Sequence, residues 1–305
     1  MADAHAIGVD VGGTKILAGV VAYDGTIVGR RERATPTGSQ DELLDALEDA
    51  VRELLDDTVA AIGFGVPGAI DQRRGRVVQA VNVPLADVDL RERMRDRLGL
   101  PVGLDNDANA AAIGEWKAGA ARGADDVVML TLGTGCGGGV IAGGRPFRGA
   151  SGGGAELGHV VVVHGGRPCR EPCTGRGHLE AYVSGLAASA AAAAALGPHA
   201  DAEFLVRLAD DGDTTACSIL EEIGGYLGSG IASFANAFEP ELIVIGGGFG
   251  IAAWRHLQPA AEEAVRREAL RPVRDVVRIV RAELGTDAGL VGAGFVGFEA
   301  LAAAN

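Results

Sequence analysis

Residues 7–21 read Ile7-Gly8-Val9-Asp10-Val11-Gly12-Gly13-Thr14-Lys15-Ile16-Leu17-Ala18-Gly19-Val20-Val21: an apolar run, a glycine turn and a second apolar run. Short apolar runs broken by paired glycines are strand–turn–strand signals. Asp24-Gly25 then marks a hairpin before a third strand near residues 26–31. The opening pattern returns in altered form at residues 128–141, as an apolar run, the loop Gly133-Thr134-Gly135-Cys136-Gly137-Gly138-Gly139, then Val140-Ile141 and a Gly143-Gly144 turn. Two halves that open alike predict a duplicated α/β fold with a nucleotide lying between the copies.

The chain between and after these segments reads as alternating helices and strands. Leu43, Leu44, Leu47, Val51, Leu54 and Leu55 recur at helical spacing behind Asp41, and residues 59–66 form a buried strand run ending at Pro67-Gly68. A helix near 89–98 and a strand at 102–104 follow, and residues 108–121 are again helical directly behind Asp105-Asn106-Asp107. Beyond residue 180 the pattern is mainly helical: the alanine-rich stretch 186–196 is a packed helix by propensity, and residues 219–238 form another. Strands are predicted at 242–245, entering Gly246-Gly247-Gly248, and at 276–280, ahead of a C-terminal helix.

At 305 residues and 48% hydrophobic content the chain can build one large or two medium domains. A net charge of −14 opposes contact with nucleic acid and anionic lipid, so any phosphate site must be local. Residues 1–10 lack a basic leader pattern and no apolar run reaches spanning length, so the expected setting is cytoplasmic, with no membrane partner. The four cysteines are then thiols or metal ligands, with Cys136 and Cys217 structural. Basic residues are 25 Arg against 2 Lys, which draws attention to Lys15 inside a glycine loop, since a compact ammonium suits phosphate.

Gly133-x-Gly135-x-x-Gly138 resembles a dinucleotide fingerprint, but a strand and turn follow it where that site needs a helix, so the reading is rejected. A glycine hairpin turn can still aim backbone N–H groups at phosphate, with Thr14 and Thr134 adding hydroxyls. Asp10, just before the first loop, is either a Mg²⁺ ligand or a turn acid. The Gly246–Gly248 run lets backbone approach a flat ligand, or simply permits close packing. Asn106 and Asp107 stand where open α/β sheets place their ligands, and Asp107 alternatively serves as a helix N-cap, an ambiguity Asp105 shares. Cys169, Cys173 and His178 with His159 upstream supply four ligands for a closed Zn²⁺ site, or are scattered loop residues, and His164 is a substitute ligand. Glu156 and Glu180 bracket this cluster, where they can accept hydrogen bonds from sugar hydroxyls or are plain surface acids.

Asp10 to Lys15, Gly65-Val66-Pro67-Gly68 with Asp71, Asn106-Asp107-Ala108-Asn109-Ala110, Gly133 to Gly139, Glu156-Leu157-Gly158-His159, the cysteine loop ending in Glu180, and Gly246 to Gly248 together resemble the ROK family (repressors, open reading frames and kinases), over nearly the whole chain. The resemblance implies a two-lobed actin-like ATPase (ribonuclease H-like) fold, a duplicated βββαβα core with a cleft between lobes. It places a small lobe at residues 1–108, with the C-terminal helix (about 286–305) packed back on it, and a larger lobe at 109–285 carrying the zinc loop. It implies ATP-dependent phosphorylation of a hexose, usually glucose, with Asp107 as base and Gly68, Asn106, Glu156, His159 and Glu180 around the sugar. Gly12, Gly13, Thr14, Lys15, Gly133, Thr134, Gly135 and Gly246–Gly248 would serve the nucleotide, Mg²⁺ would accompany ATP, and a structural Zn²⁺ would sit on His159. It further implies a homodimer or homotetramer. The loop departs from the family pattern: Glu171, Cys173 and His178 stand where three cysteines are usual, so Cys169 must reach the metal from two residues upstream.

Family repressors carry an N-terminal helix-turn-helix domain, for which no room is expected when the first strand begins by Ile7. A non-catalytic sugar sensor is the rival of another class. Within the kinases, fructose, mannose, N-acylmannosamine and allose are rival acceptors and polyphosphate a rival donor.

Overall fold

The computed structural model describes residues 4–304; residues 1–3 and 305, which belong to the terminal segments read above, lie outside the described residues. The antiparallel meander of β1 (His5–Val11), β2 (Lys15–Val21) and β3 (Ile27–Ala34) is followed by α1 (Gln40–Arg52) and β4 (Val59–Val66), which returns parallel to β1. The Ser39 side chain accepts the Glu42 N–H at the start of α1, and the helix buries Leu43, Leu44, Leu47, Ala50 and Val51. A separate small sheet follows, built from β5 (Gly68–Asp71), β6 (Arg76–Ala80) and β7 (Ala86–Val88). Then α2 (Leu90–Leu98) leads to β8 (Val102–Asn106), giving a first sheet ordered β3-β2-β1-β4-β8. The small sheet was absent from the sequence reading, because its strands are only three to five residues long.

Helix α3 (Asp107–Ala118) carries the chain to β9 (Val127–Leu132) and β10 (Cys136–Ile141). A long loop with one 3₁₀ turn, Leu157–His159, precedes α4 (Glu180–Val183), α5 (Gly185–Leu196), α6 (Ala202–Asp210) and α7 (Thr214–Phe238). Strand β11 (Leu242–Gly246), α8 (Gly248–Ala252), α9 (Trp254–Glu268), α10 (Val273–Val276) and β12 (Arg278–Arg281) complete a second sheet ordered β10-β9-β11-β12. One antiparallel and two parallel pairings in succession match β2-β1-β4-β8 of the first sheet. The copies differ at one edge: opposite β3 the second half has only an isolated bridge, Ile141 to Pro146. Val276, expected in the last strand, ends the short helix α10.

Helix α11 (Ala288–Ala304) joins the two halves. Gly19, Gly8, Gly63 and Gly103 pair in register across four adjacent strands, so one row of the sheet has no side chains. The helix lies in that trough: a Cβ on Gly8, Gly63 or Gly103 would meet the carbonyl oxygens of Leu290, Ala293 and Val296, and one on Gly19 would come 2.9 Å from Leu290. Residues 285–304 are long and apolar enough to span a membrane, contrary to the sequence reading; their apolarity is that of a core helix, more than half buried and packed on both α3 and the first sheet. A backbone carbonyl cannot swing away as a side chain can. Gly63→Ala is therefore expected to cost about 3 kcal/mol, measured by urea unfolding, whereas Gly29→Ala, whose Cβ meets nothing within 4 Å, should change stability by less than about 0.5 kcal/mol.

Two chain crossings link the sheets, one through α3 and one through residues 282–287. Fully buried Glu115 on α3 ties them together. Its carboxylate accepts the N–H groups of Ala120 (2.8 Å), Glu283 (3.1 Å) and Leu284 (2.8 Å). Three N–H donors satisfy a buried acid without a cation.

Candidate active site

The three polar residues at the end of β8 take three different jobs. Asp105 is fully buried, and one of its oxygens accepts the Asn106 N–H at 2.8 Å and the Asn109 amide at 3.2 Å. Asn106 is the N-cap of α3: its side-chain oxygen accepts the N–H groups of Ala108 (2.9 Å) and Asn109 (3.2 Å), and its amide donates to the Gly68 carbonyl at 3.2 Å. Gly68 holds φ at 124°, a region closed to other residues. Asp107, relieved of capping, is the first helical residue and lines a cleft of ≈ 740 Å³ between the sheets. Burial, then the charge of Glu156, pushes its carboxyl above the ordinary range, opposed by hydrogen bonds from Ala108 and Asn106.

Both glycine turns reach the same cleft, Gly12 and Gly13 from β1–β2 and Gly133, Thr134 and Gly135 from β9–β10. The second turn is shorter than the sequence loop, because Gly137, Gly138 and Gly139 belong to β10. They make room for neighbours: a Cβ on Gly137 would come 2.8 Å from Ala108 and one on Gly138 2.7 Å from Leu157, while Gly139 faces Ala112. Thr14 and Lys15 do not line the cleft as it stands, and the Lys15 ammonium pairs with Glu32 at 2.9 Å. Of the third glycine run, Gly247 (φ 80°) lines the cleft, Gly246 closes β11 and Gly248 opens α8. Asp10, beside Gly289 and outside the residues that line the cleft, has its pKa raised to about 7 by burial and then by Asp107, with Lys15 pulling the other way.

The far wall comes from the loop of residues 142–179 and from α4. The 3₁₀ turn places His159 next to Glu156, and the four candidate ligand atoms of His159, Cys169, Cys173 and His178 lie within 4.8 Å of one another. The separations are 3.2 Å between the two Nδ1 atoms, 3.7 Å from Cys169 Sγ to His159 and 3.5 Å from Cys173 Sγ to His178. A tetrahedral zinc with two nitrogens and two sulfurs has edges of about 3.3–3.8 Å, so these three separations are close to what that ion needs, and the donor types suit it. Cys169 does reach; Glu171 and His164 stand outside the group. With Nδ1 of His159 turned to the cluster, Nε2 is the ring nitrogen left for the cleft that His159 lines. Glu180 opens α4, accepts the Cys136 N–H at 2.8 Å, and leans over Gly135, where a Cβ would strike its carboxylate. Glu156 is raised by burial, eased by His159 and raised again by Glu180.

The small sheet contributes what sequence reasoning missed. Gln79, Val81 and Asn82 line the cleft, and Arg170 of the cysteine loop donates to Asn82 across it at 3.3 Å. The Gly75 turn ahead of Val77-Val78-Gln79 was the one local signal for these strands.

Two matching sheets, a glycine turn from each facing one cleft, and a strand-end carboxylate between them define the actin-like ATPase class of two-lobed α/β proteins. The chain belongs to the ROK family, whose model matches residues 6–297. It is 35% identical to the glucokinase of Halalkalibacterium halodurans over 97% of this chain and 96% of that protein. It superposes on the ROK hexokinase of Thermus thermophilus with a TM-score of 0.83 at 35% identity, covering 98% of this chain and 99% of that one. The ROK family glucokinase of Streptomyces griseus, solved with glucose and AMPPNP, gives a TM-score of 0.83 at 36% identity, covering 97% and 99%.

Proposed function

We propose that the chain is an ATP-dependent hexose kinase, a glucokinase, that transfers the γ-phosphate to the sugar 6-hydroxyl. The observation that carries this is one cleft shared by the two glycine turns, Asp107, and the Glu156, His159 and Glu180 group. In this reading Asp107 accepts the 6-hydroxyl proton as that oxygen attacks the γ-phosphorus in line. Asn106, Glu156, His159, Glu180 and the Gly68 turn hold the ring hydroxyls. Gly12 and Gly13 face Gly133, Thr134 and Gly135 across the nucleotide phosphates, Thr14 and Lys15 would join them only if Lys15 leaves Glu32 as the lobes close, and Gly246, Gly247 and Gly248 let the backbone approach the nucleoside.

Asp10 is the residue to hold Mg²⁺, directly or through water: its buried carboxyl feels the charge of Asp107, with Lys15 as the opposing counter-charge, an arrangement a divalent cation relieves. His159, Cys169, Cys173 and His178 would hold Zn²⁺. When bound, Mg²⁺ offsets charge on the phosphates and Zn²⁺ fixes the His159 tautomer. Closure of residues 1–108, with α11, against residues 109–285 would exclude water as a competing acceptor. The free thiols of all four cysteines suit a reducing cell interior.

An ADP-release assay over a sugar panel tests the reading, with polyphosphate replacing ATP in one arm. Glucose with ATP should give the highest kcat/KM; folded protein with no sugar-dependent ADP release would end it. Gly135→Ala should push Glu180 aside and raise the KM for glucose about tenfold, and because Gly135 also belongs to the phosphate turn the KM for ATP should rise with it.

A further inference from the structure

The loop that leads to Glu156 carries a largely buried cation that the reaction scheme leaves without a task. Arg148 Nε donates to the second oxygen of Asp105 at 2.6 Å, and its Nη2 donates to Glu299 on α11 at 2.6 Å. Asp105 is the fully buried acid whose other oxygen holds the Asn106 N–H. One guanidinium therefore reaches from the second lobe's loop to the strand end of the first, one residue from Asn106 and two from Asp107. The loop is held on its other side as well: the Arg148 carbonyl accepts the Gly154 N–H at 3.0 Å, and the Ser151 carbonyl accepts the Gln72 N–H at 3.2 Å. Glu156 follows two residues after Gly154.

Without Arg148 the second oxygen of this buried carboxylate loses its hydrogen-bond donor, with Arg91 as a remaining nearby cation, and any reorientation to replace that donor disturbs the hydrogen bond that orders the next residue. Charge-assisted bonds of this length are short and directional, and the planar fork of arginine can hold two carboxylates at a set angle where an ammonium cannot. The two arms are not equivalent. The Asp105 arm leads to Asn106 and the helix start; the Glu299 arm leads only to α11 and a half-exposed acid.

We propose that Arg148 is a positioning residue for the sugar, clamping the strand end that carries Asn106 to the loop that carries Glu156 and so setting the distance between the two sides of the hexose site. The inference rests on the reading of this cleft as a hexose site. Arg148→Met, Arg148→Lys and Glu299→Gln are compared with the parent chain by steady-state kinetics in glucose and in ATP, and by thermal melting. Arg148→Met is expected to raise the KM for glucose about tenfold or more while the KM for ATP stays within about twofold. Arg148→Lys, which keeps the charge beside Asp105 but loses the fork, should recover part of that loss, leaving the KM for glucose raised about threefold. Glu299→Gln should lower the melting temperature and leave both KM values within about twofold.

If Arg148→Met does not accumulate folded, the same glucose-against-ATP split in Arg148→Lys decides the matter. The proposal is overturned if both KM values rise together, if neither moves in the folded variant, or if Glu299→Gln shifts the KM for glucose as far as Arg148→Met. A parent chain with no glucose-dependent turnover would instead remove the kinase reading; an active parent with an unaltered Arg148 variant removes the positioning role alone.

Discussion

Asp107→Asn is expected to bind glucose within about twofold of the parent and to turn over at least about a hundredfold more slowly, the scale of a lost general base. The near-isosteric amide should be tolerated because α3 is capped by Asn106, so the helix start does not depend on the residue replaced. What disappears is the ability to take a proton. The acid limb of the parent's rate profile follows from the same site: burial and the charge of Glu156 raise the Asp107 carboxyl. A base works ionised, so kcat/KM should fall as pH drops through that raised value, starting above the usual carboxylate range. Calorimetric glucose affinity and kcat of the variant check both halves of the claim. Near-normal turnover would falsify the base assignment.

Removing a ligand from the Cys/His cluster should act on binding before chemistry. Cys173→Ala is expected to take zinc from about one equivalent to none by elemental analysis and to weaken glucose binding by about 10–100-fold. The Nδ1 of His159 faces His178 and Cys169, and loss of a bound metal there would free the ring to rotate and to exchange tautomers. Cys217→Ala supplies the control, since that thiol sits on α7 with its sulfur 3.6 Å from the Ala209 carbonyl, outside the cluster. Zinc-free protein, purified without chelator, that binds glucose as the parent does would show the cluster to be structurally idle.

Much of the chain's architecture could be read from local pattern. The apolar runs around the Gly12-Gly13 and Gly133–Gly135 turns became β1–β2 and β9–β10, and the helix behind Asp41 became α1. Such elements are legible because strand and helix periods, and the turns between them, are set by residues a few positions apart. The cysteine loop was legible as a spacing problem, and the fold groups Cys169, not Glu171, with His159, Cys173 and His178. Other features were out of reach. Gly137, Gly138 and Gly139 looked like more loop because a glycine needed for close packing is indistinguishable in sequence from one needed for a turn. The row of Gly8, Gly19, Gly63 and Gly103 becomes a trough only when four strands pair in register.

By itself, then, the sequence determined the order of strands, turns and helices and the duplicated opening, and it singled out the side chains proposed for phosphoryl transfer, since all of these are written in near neighbours. Only the tertiary structure decided which member of Asp105-Asn106-Asp107 is buried on Arg148, which caps α3 and which faces the cleft. A carboxylate's role depends on the atoms around it, and Arg148 lies 43 residues from Asp105 and 151 from Glu299 along the chain.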